Sequence, residues 1–161
     1  MVQRLVEEST AAARLQHPHI VAIFDRGRDV VGDFLVMEYV DGPNLWDLMV
    51  RNGGKLPIEH ALRYVRQVGA ALQTAHEKDI LHRDIKPSNV LIDRKQNIAK
   101  LADWGLARNA ESQSLTGSVA VIGTLDFMAP EVQRKASNAS PRSDLYSLAA
   151  MLYQLVTSRS P

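Results

Sequence analysis

The chain has 161 residues, of which 45% are hydrophobic, so it can bury a core of about one domain. Its 19 basic and 18 acidic residues leave a net charge of +1, which excludes the strongly basic field typical of nucleic-acid or membrane-surface binding. It contains no cysteine, which excludes disulfides and thiolate chemistry, and no apolar run long enough to cross a bilayer. We expect a soluble, cytoplasmic chain with no nucleic-acid partner and no membrane segment.

The first 40 residues predict one helix and two strands. An alanine-rich helical pattern runs up to His17-Pro18, where the proline stops it. Two short apolar runs, Ile20 to Phe24 and Phe34 to Val40, flank a turn-prone segment and predict a pair of strands.

The next 60 residues predict two helices followed by two strands. A short helix over Leu45 to Val50 precedes a long one from about Pro57 to Lys78, whose apolar residues recur at steps of three and four. The members of that stripe are Leu62, Val65, Val68, Leu72 and Ala75. Two short strands, Val90 to Ile92 and Ile98 to Leu101, then flank a turn.

The last third predicts a long loop and a final helix. The Ser/Gly-rich stretch from Arg108 to Gly123 has no clear period, as in functional or disordered loops. A helix then begins at Ser140-Pro141. Its expected apolar face consists of Leu145, Leu148, Leu152 and Leu155. This order of elements predicts an α+β fold and not a parallel βαβ array.

The strongest chemical motif is the stretch from His82 to Asn89, which reads His-Arg-Asp-Ile-Lys-Pro-Ser-Asn. A hydroxyl nucleophile needs a carboxylate at its proton, and phosphates need a metal held by nearby oxygens. The motif resembles the catalytic loop of eukaryotic-type Ser/Thr protein kinases. Residues 17–21 and 123–131 resemble the bacterial members of that family.

The resemblance covers essentially the whole chain and implies a protein-kinase-like two-lobe fold that is truncated. Residues 1–40 would be a remnant of the small lobe with the hinge, and residues 41–161 an incomplete large lobe. The Gly-rich loop and the phosphate-binding lysine of the family are not in this sequence. We therefore expect a fragment that is nearly or wholly inactive by itself.

The same resemblance implies a set of catalytic and metal-binding residues. Asp84 would be the base that orients the substrate hydroxyl, and Lys86 would place positive charge near the transferred phosphoryl group. Asn89 and Asp103 would be the ligands of Mg²⁺. Thr124 lies where the family has a threonine that bonds the catalytic aspartate and lysine.

Two further positions concern the support of this site. Trp104 stands where the family has phenylalanine. The first predicted helix takes the place of the family's regulatory helix, and the small Ala12 on it would accommodate the larger ring. Asp144, in the final helix, would accept hydrogen bonds from the backbone of the catalytic loop.

Nucleotide binding is assigned by the resemblance to the segment after the second strand. Backbone groups of Glu38 and Val40 would bond the adenine of ATP, and Leu91 would form the floor of its pocket. Asn44 would lie near the ribose. Glu8 takes the place of the glutamate that pairs with the phosphate-binding lysine.

Arg83 precedes the catalytic aspartate, a feature of kinases that are switched by a phosphate on the activation loop. In this chain that loop would be the Ser/Gly-rich stretch from Arg108 to Gly123. It offers four hydroxyl residues, of which Thr116 is favoured by position: Ser112, Ser114, Thr116 and Ser118. A kinase-to-kinase contact would deliver that phosphate.

The expected function is transfer of the ATP γ-phosphoryl group to protein Ser/Thr hydroxyls through Mg²⁺. The alternative is a non-catalytic kinase remnant or docking module. A small-molecule phosphotransferase of related fold is more distant, because the Lys86-Pro87-Ser88 and Ala129-Pro130-Glu131 strings favour a protein substrate.

Overall fold

A computed structural model describes residues 15–104 and 125–161, and the structural statements below refer to those ranges. The elements are β1 (Ile23–Arg28), β2 (Asp33–Met37), α1 (Leu45–Arg51), α2 (Ile58–His76), a 3-10 turn (Pro87–Asn89), β3 (Val90–Asp93), β4 (Ile98–Leu101), α3 (Pro130–Arg134), a second 3-10 turn (Ala136–Asn138) and α4 (Pro141–Thr157). Helices mixed with antiparallel strand pairs agree with the α+β prediction. Within the described ranges, no helix combines the length and apolar content needed to cross a membrane.

Several expectations fall on residues 1–14 and 105–124 and so lie outside the described residues. They are the first helix, the Ser/Gly-rich loop with its hydroxyls, and the roles given to Glu8, Ala12 and Thr124.

Strands β1 and β2 form an antiparallel hairpin whose predicted bounds were wrong. The first strand begins at Ile23 because the chain before it pairs elsewhere: the Val21 N–H donates to the Leu101 carbonyl at 3.0 Å. The second strand ends at Met37, and the residues after it continue as irregular chain. Ile20 and Val21 are therefore buried against β4 and are not part of the exposed hairpin.

Strands β3 and β4 confirm the second predicted pair, with Val90 opposite Leu101 and Asp93 opposite Ile98. The segment that contains Gly42 and Pro43 lies along this pair: the Ile92 N–H donates to the Pro43 carbonyl at 2.9 Å. A Cβ atom added at Gly42 would overlap the Ile92 carbonyl oxygen. Because glycine has no Cβ atom, the chain at residue 42 can approach β3 closely.

Helices α2 and α4 pack together, and one predicted position on each face was wrong. On α2, Val68, Leu72 and Ala75 are buried as expected, but Leu62 is 44% exposed. On α4, Leu148 and Leu155 are buried, whereas Leu145 is 52% exposed. In both helices the neighbouring residue takes the inward position instead, because one residue turns the helix by about 100°. Those neighbours are Ala61 on α2 and Asp144 on α4.

Gly42→Ala should destabilise the fold by about 1–3 kcal/mol, because the new methyl group would overlap the backbone carbonyl of Ile92, and moving that backbone costs strain energy. Gly69→Ala makes the same change inside α2, where the added Cβ would lie 3.7 Å from Leu148, an ordinary contact. That control should stabilise the protein by about 0.5–1 kcal/mol through helix propensity. Chemical denaturation of both variants measures the difference, and equal shifts would contradict the close approach at Gly42.

Candidate active site

The stretch from His82 to Asn89 connects α2 to β3, and its backbone is hydrogen-bonded to one carboxylate of α4. Asp144, 1% exposed, accepts the His82 N–H through Oδ2 and the Arg83 N–H through Oδ1, both at 2.9 Å. Arg83 has φ 67°, a left-handed conformation that a non-glycine residue adopts only when its surroundings hold it there. The hydrogen bonds from the loop backbone to Asp144 agree with the sequence prediction.

That carboxylate has a third partner, which the sequence pattern did not indicate. His76, in the last turn of α2, lies with Nε2 2.8 Å from Asp144 Oδ2. A histidine at the end of an amphipathic helix carries no sign in the sequence of a partner 68 positions away. Only the packing of α2 against α4 brings the two together.

His82 is fully buried and connects the loop to the chain before Asp103. Its Nε2 lies 2.8 Å from the Ala102 carbonyl, and its Nδ1 lies 3.2 Å from the Asp84 backbone nitrogen. The neutral ring with a proton on Nε2 satisfies both contacts, because it donates to the carbonyl and accepts from the N–H. Burial lowers the pKa of His82 below its ordinary value of 6.5.

This direction of shift predicts that the protein loses stability as the pH falls through 6.5. The unfolded chain binds a proton on His82 below that value and the folded chain resists it, so acid favours unfolding. His82→Gln, whose amide can also donate and accept, should flatten this part of the pH profile. Melting temperatures of both proteins from pH 7.5 to 5 measure the effect, and parallel profiles would contradict it.

Asp84, Lys86 and Asn89 form one compact cluster. Asp84 Oδ2 lies 2.9 Å from Lys86 Nζ and accepts a hydrogen bond from Asn89 Nδ2 at 3.0 Å. The same Nδ2 donates to the Asp84 carbonyl at 2.7 Å. The other oxygen, Asp84 Oδ1, accepts nothing from residues 15–104 and 125–161. The Asp84 side chain as a whole is 21% exposed.

Asp103 lies two residues after the end of β4 and is positioned by its neighbours. The Ala102 N–H donates to the Asn89 carbonyl at 2.9 Å, which joins this segment to the catalytic-loop motif. Asp103 itself is exposed and adopts φ 59°. The Trp104 ring is 2% exposed, donates Nε1–H to the Leu101 carbonyl at 3.2 Å and meets His82 edge-on at 4.9 Å.

The donor set fits a Mg²⁺ ion. Because Asn89 Nδ2 is used by Asp84, the amide oxygen Oδ1 is the atom left for a cation, and Asp103 supplies an exposed carboxylate. The described part of the chain has no cluster of three or more His, Cys, Asp or Glu that could enclose a metal. Magnesium is commonly held by one or two protein oxygens together with substrate phosphates and water, which needs no such cage.

A small apolar cluster separate from the main core lies between the hinge and β4. It consists of Val21, Val40 and Ala102, with Leu91 packed against it. Leu91 also pairs with Asn44 through an isolated antiparallel bridge. Asn44 caps α1 by accepting the Asp47 N–H on its side-chain oxygen at 2.8 Å, so its side-chain NH₂ group is left to donate to a ligand.

Two backbone groups beside this cluster have no partner among the described residues. The Glu38 N–H donates to the Ala22 carbonyl at 2.8 Å, but the Glu38 carbonyl accepts no hydrogen bond there. The N–H of Val40 likewise donates to none of the residues described, although Val40 is only 8% exposed. An acceptor and a donor two residues apart match the amine and ring nitrogen on one edge of adenine.

Comparison with known proteins gives a consistent result. The protein kinase domain model matches residues 1–161. The chain is 39% identical to the serine/threonine-protein kinase PrkC of Bacillus subtilis over 160 residues, and 40% identical to PknB of Mycobacterium leprae over 163 residues. These matches cover 99% and 98% of this chain, which spans 24% and 26% of those two proteins.

Solved structures show the same similarity. The PknI kinase domain of Mycobacterium tuberculosis superposes with a TM-score of 0.80 at 32% identity, covering 99% of this chain and 58% of that one. Rad53 1-466 in complex with AMP-PNP superposes with a TM-score of 0.78 at 28% identity, covering 98% and 38%.

Proposed function

The chain belongs to the protein kinase domain family, and from this we propose that the protein transfers the γ-phosphoryl group of ATP to Ser or Thr hydroxyls of proteins. One observation carries the proposal: Lys86 and Asn89 hold Asp84 Oδ2, while Oδ1 accepts no hydrogen bond from the residues that the structure describes. That arrangement aims a base at an incoming hydroxyl. Named relatives that are serine/threonine kinases support this choice of reaction.

Asp84 acts on the nucleophile. Its Oδ1 atom accepts the proton of the substrate hydroxyl while the hydroxyl oxygen forms a bond to the γ-phosphorus of ATP. The bond from phosphorus to the β–γ bridging oxygen breaks, and ADP leaves. The hydrogen bond from Asn89 and the ion pair with Lys86 keep the carboxylate in one orientation during this step.

Lys86 and the metal ligands act on the phosphates. The Lys86 side chain is 23% exposed, and its ammonium group would approach the transferred phosphoryl group while remaining paired with Asp84. Asn89 Oδ1 and the Asp103 carboxylate would hold Mg²⁺. The metal supplies positive charge that stabilises the charge developing on the phosphate oxygens.

The hinge would bind the base of ATP. The Glu38 carbonyl accepts the adenine amine and the Val40 N–H donates to the ring, with Leu91 beneath the ring and Asn44 donating toward the ribose. That the similar Rad53 is in complex with AMP-PNP supports nucleotide binding by this fold. Glu8 and Thr124 keep their proposed roles on the phosphates and the catalytic loop.

The wider proposal concerns lobes, location and partners. Residues 1–40 would belong to the small lobe and residues 41–161 to the large lobe. The reaction would take place in the cytoplasm, with which the absence of cysteine is compatible. A second kinase molecule would phosphorylate the loop around Thr116.

The test is phosphate transfer by the full-length protein from γ-labelled ATP to a general protein substrate, followed by phosphoamino-acid analysis. We expect label on serine and threonine, and its loss when EDTA removes the metal. Asn89→Leu should lower activity and raise the Mg²⁺ concentration needed for half-maximal activity, because leucine is similar in size but lacks the amide oxygen that would bind the metal. Metal-independent transfer or label on tyrosine alone would contradict the proposal.

A further inference from the structure

Glu38 at the hinge is held by more contacts than its backbone role requires. Its N–H donates to the Ala22 carbonyl at 2.8 Å, and its carboxylate Oε2 accepts the Ala22 N–H at 3.2 Å. The other carboxylate oxygen, Oε1, lies 2.6 Å from Lys100 Nζ in β4. Residue 38 is therefore fixed through its main chain and its side chain at once.

Lys100 is unusual because its amine is buried within a strand. The Lys100 side chain is 10% exposed and that of Glu38 is 27% exposed. Taking an ammonium out of water is costly, and a buried ion pair adds little stability over an apolar side chain of the same size. An ordinary structural role would be served as well by methionine. The pairing with Glu38 thus calls for another explanation.

The two ends of the pair lie at the two parts of the proposed nucleotide site. Glu38 carries the carbonyl proposed to bind adenine, and Lys100 lies three residues before Asp103, the proposed metal ligand. The small cluster of Val21, Val40 and Ala102 fills the space between these segments. The ion pair therefore ties the base-binding backbone to the strand that carries the metal carboxylate.

We propose that Lys100 is a positioning residue for nucleotide binding: its ion pair with Glu38 holds the hinge carbonyl in the orientation that receives the adenine base. Both the Glu38 N–H and its carboxylate are bonded within the protein, so the Cα atom that carries this carbonyl is held from its main-chain side and from its side-chain side. The inference rests on the proposed function, since it assumes that the hinge binds adenine. It assigns Lys100 no contact with the phosphates.

The test measures binding of adenosine and of ATP to the full-length protein by calorimetry. Lys100→Met should weaken both ligands by the same factor, about tenfold, which is the worth of one well-aligned hydrogen bond. If Lys100 instead acted as a cation on the phosphates, ATP would lose affinity and adenosine would not. Lys100→Arg should restore binding, because it restores the ion pair.

A double variant separates positioning from simple structural support. Lys100→Met alone leaves the Glu38 carboxylate without its partner, so it can also lower thermal stability. Combining it with Glu38→Gln removes that unpaired charge and should recover the melting temperature. Adenosine binding should stay weak in the double variant, because the hinge is still not tied to β4.

The matched control is Arg28→Met on the neighbouring hairpin. The Arg28–Asp33 pair is also 2.6 Å long, but its side chains are 65% and 69% exposed. This control should bind adenosine as the unaltered protein does. Unchanged binding in both Lys100→Met and the double variant would overturn the inference and leave the proposed function intact, whereas an unaltered protein that binds neither adenosine nor ATP would overturn both.

Discussion

Asp84→Asn is expected to lower the rate of phosphoryl transfer by roughly 10²–10⁴-fold, the contribution typical of a positioned general base. Asparagine keeps the size of the side chain and can still meet the Asn89 amide, but it cannot accept the proton of a hydroxyl. The ion pair of 2.9 Å with Lys86 is also lost. Because Asp84 is proposed to contact the substrate hydroxyl and not the nucleotide, nucleotide affinity should remain nearly unchanged.

The measurement is single-turnover transfer from labelled ATP, with nucleotide affinity determined separately. Asp79→Asn is the matched control: the same substitution five residues earlier, at an exposed position with φ 58° that asparagine accepts readily. It should leave the rate unchanged. A rate in Asp84→Asn within a factor of a few of the unaltered protein would contradict the role of Asp84 as base.

The catalytic cluster could be predicted from sequence because its members are close along the chain. Asp84, Lys86 and Asn89 lie within the string that also carries the resemblance, and their mutual contacts need only a short loop and a 3-10 turn. The pair β3 and β4 was predictable for the same reason, since its two apolar runs are separated by one tight turn. Local patterns of this kind can be recognised without knowledge of the tertiary fold.

The contacts that support the cluster could not be predicted, because they join distant parts of the chain. Glu38 and Lys100 are 62 positions apart, and nothing in the sequence around either residue marks a partly buried ion pair. The exposed Leu62 and Leu145 show the same limit in the helices. Apolar spacing alone locates a helix face to within about one residue, and tertiary packing decides which residue faces inward.

The second large effect is expected at Asp144, which lies on the face of α4 that packs beneath the loop. Asp144→Ala should reduce the free energy of unfolding by about 3–5 kcal/mol, as when one partner of a buried charged network is removed. Three donors lose their acceptor together: the N–H groups of His82 and Arg83 and the ring of His76. The left-handed conformation of Arg83 then loses one of the contacts that hold it.

Chemical denaturation and transfer activity of Asp144→Ala measure the two consequences of this loss. Ser147→Ala is the control on the same face of α4, because Ser147 is 8% exposed and donates only to the Ser143 carbonyl within its own helix, at 3.1 Å. It should cost no more than about 1 kcal/mol. Activity should fall in Asp144→Ala even under conditions where the protein remains folded, because Asp84 follows directly on the released backbone. Similar losses in the two variants would mean that α4 supports the loop by packing alone and that the Asp144 carboxylate does not orient it.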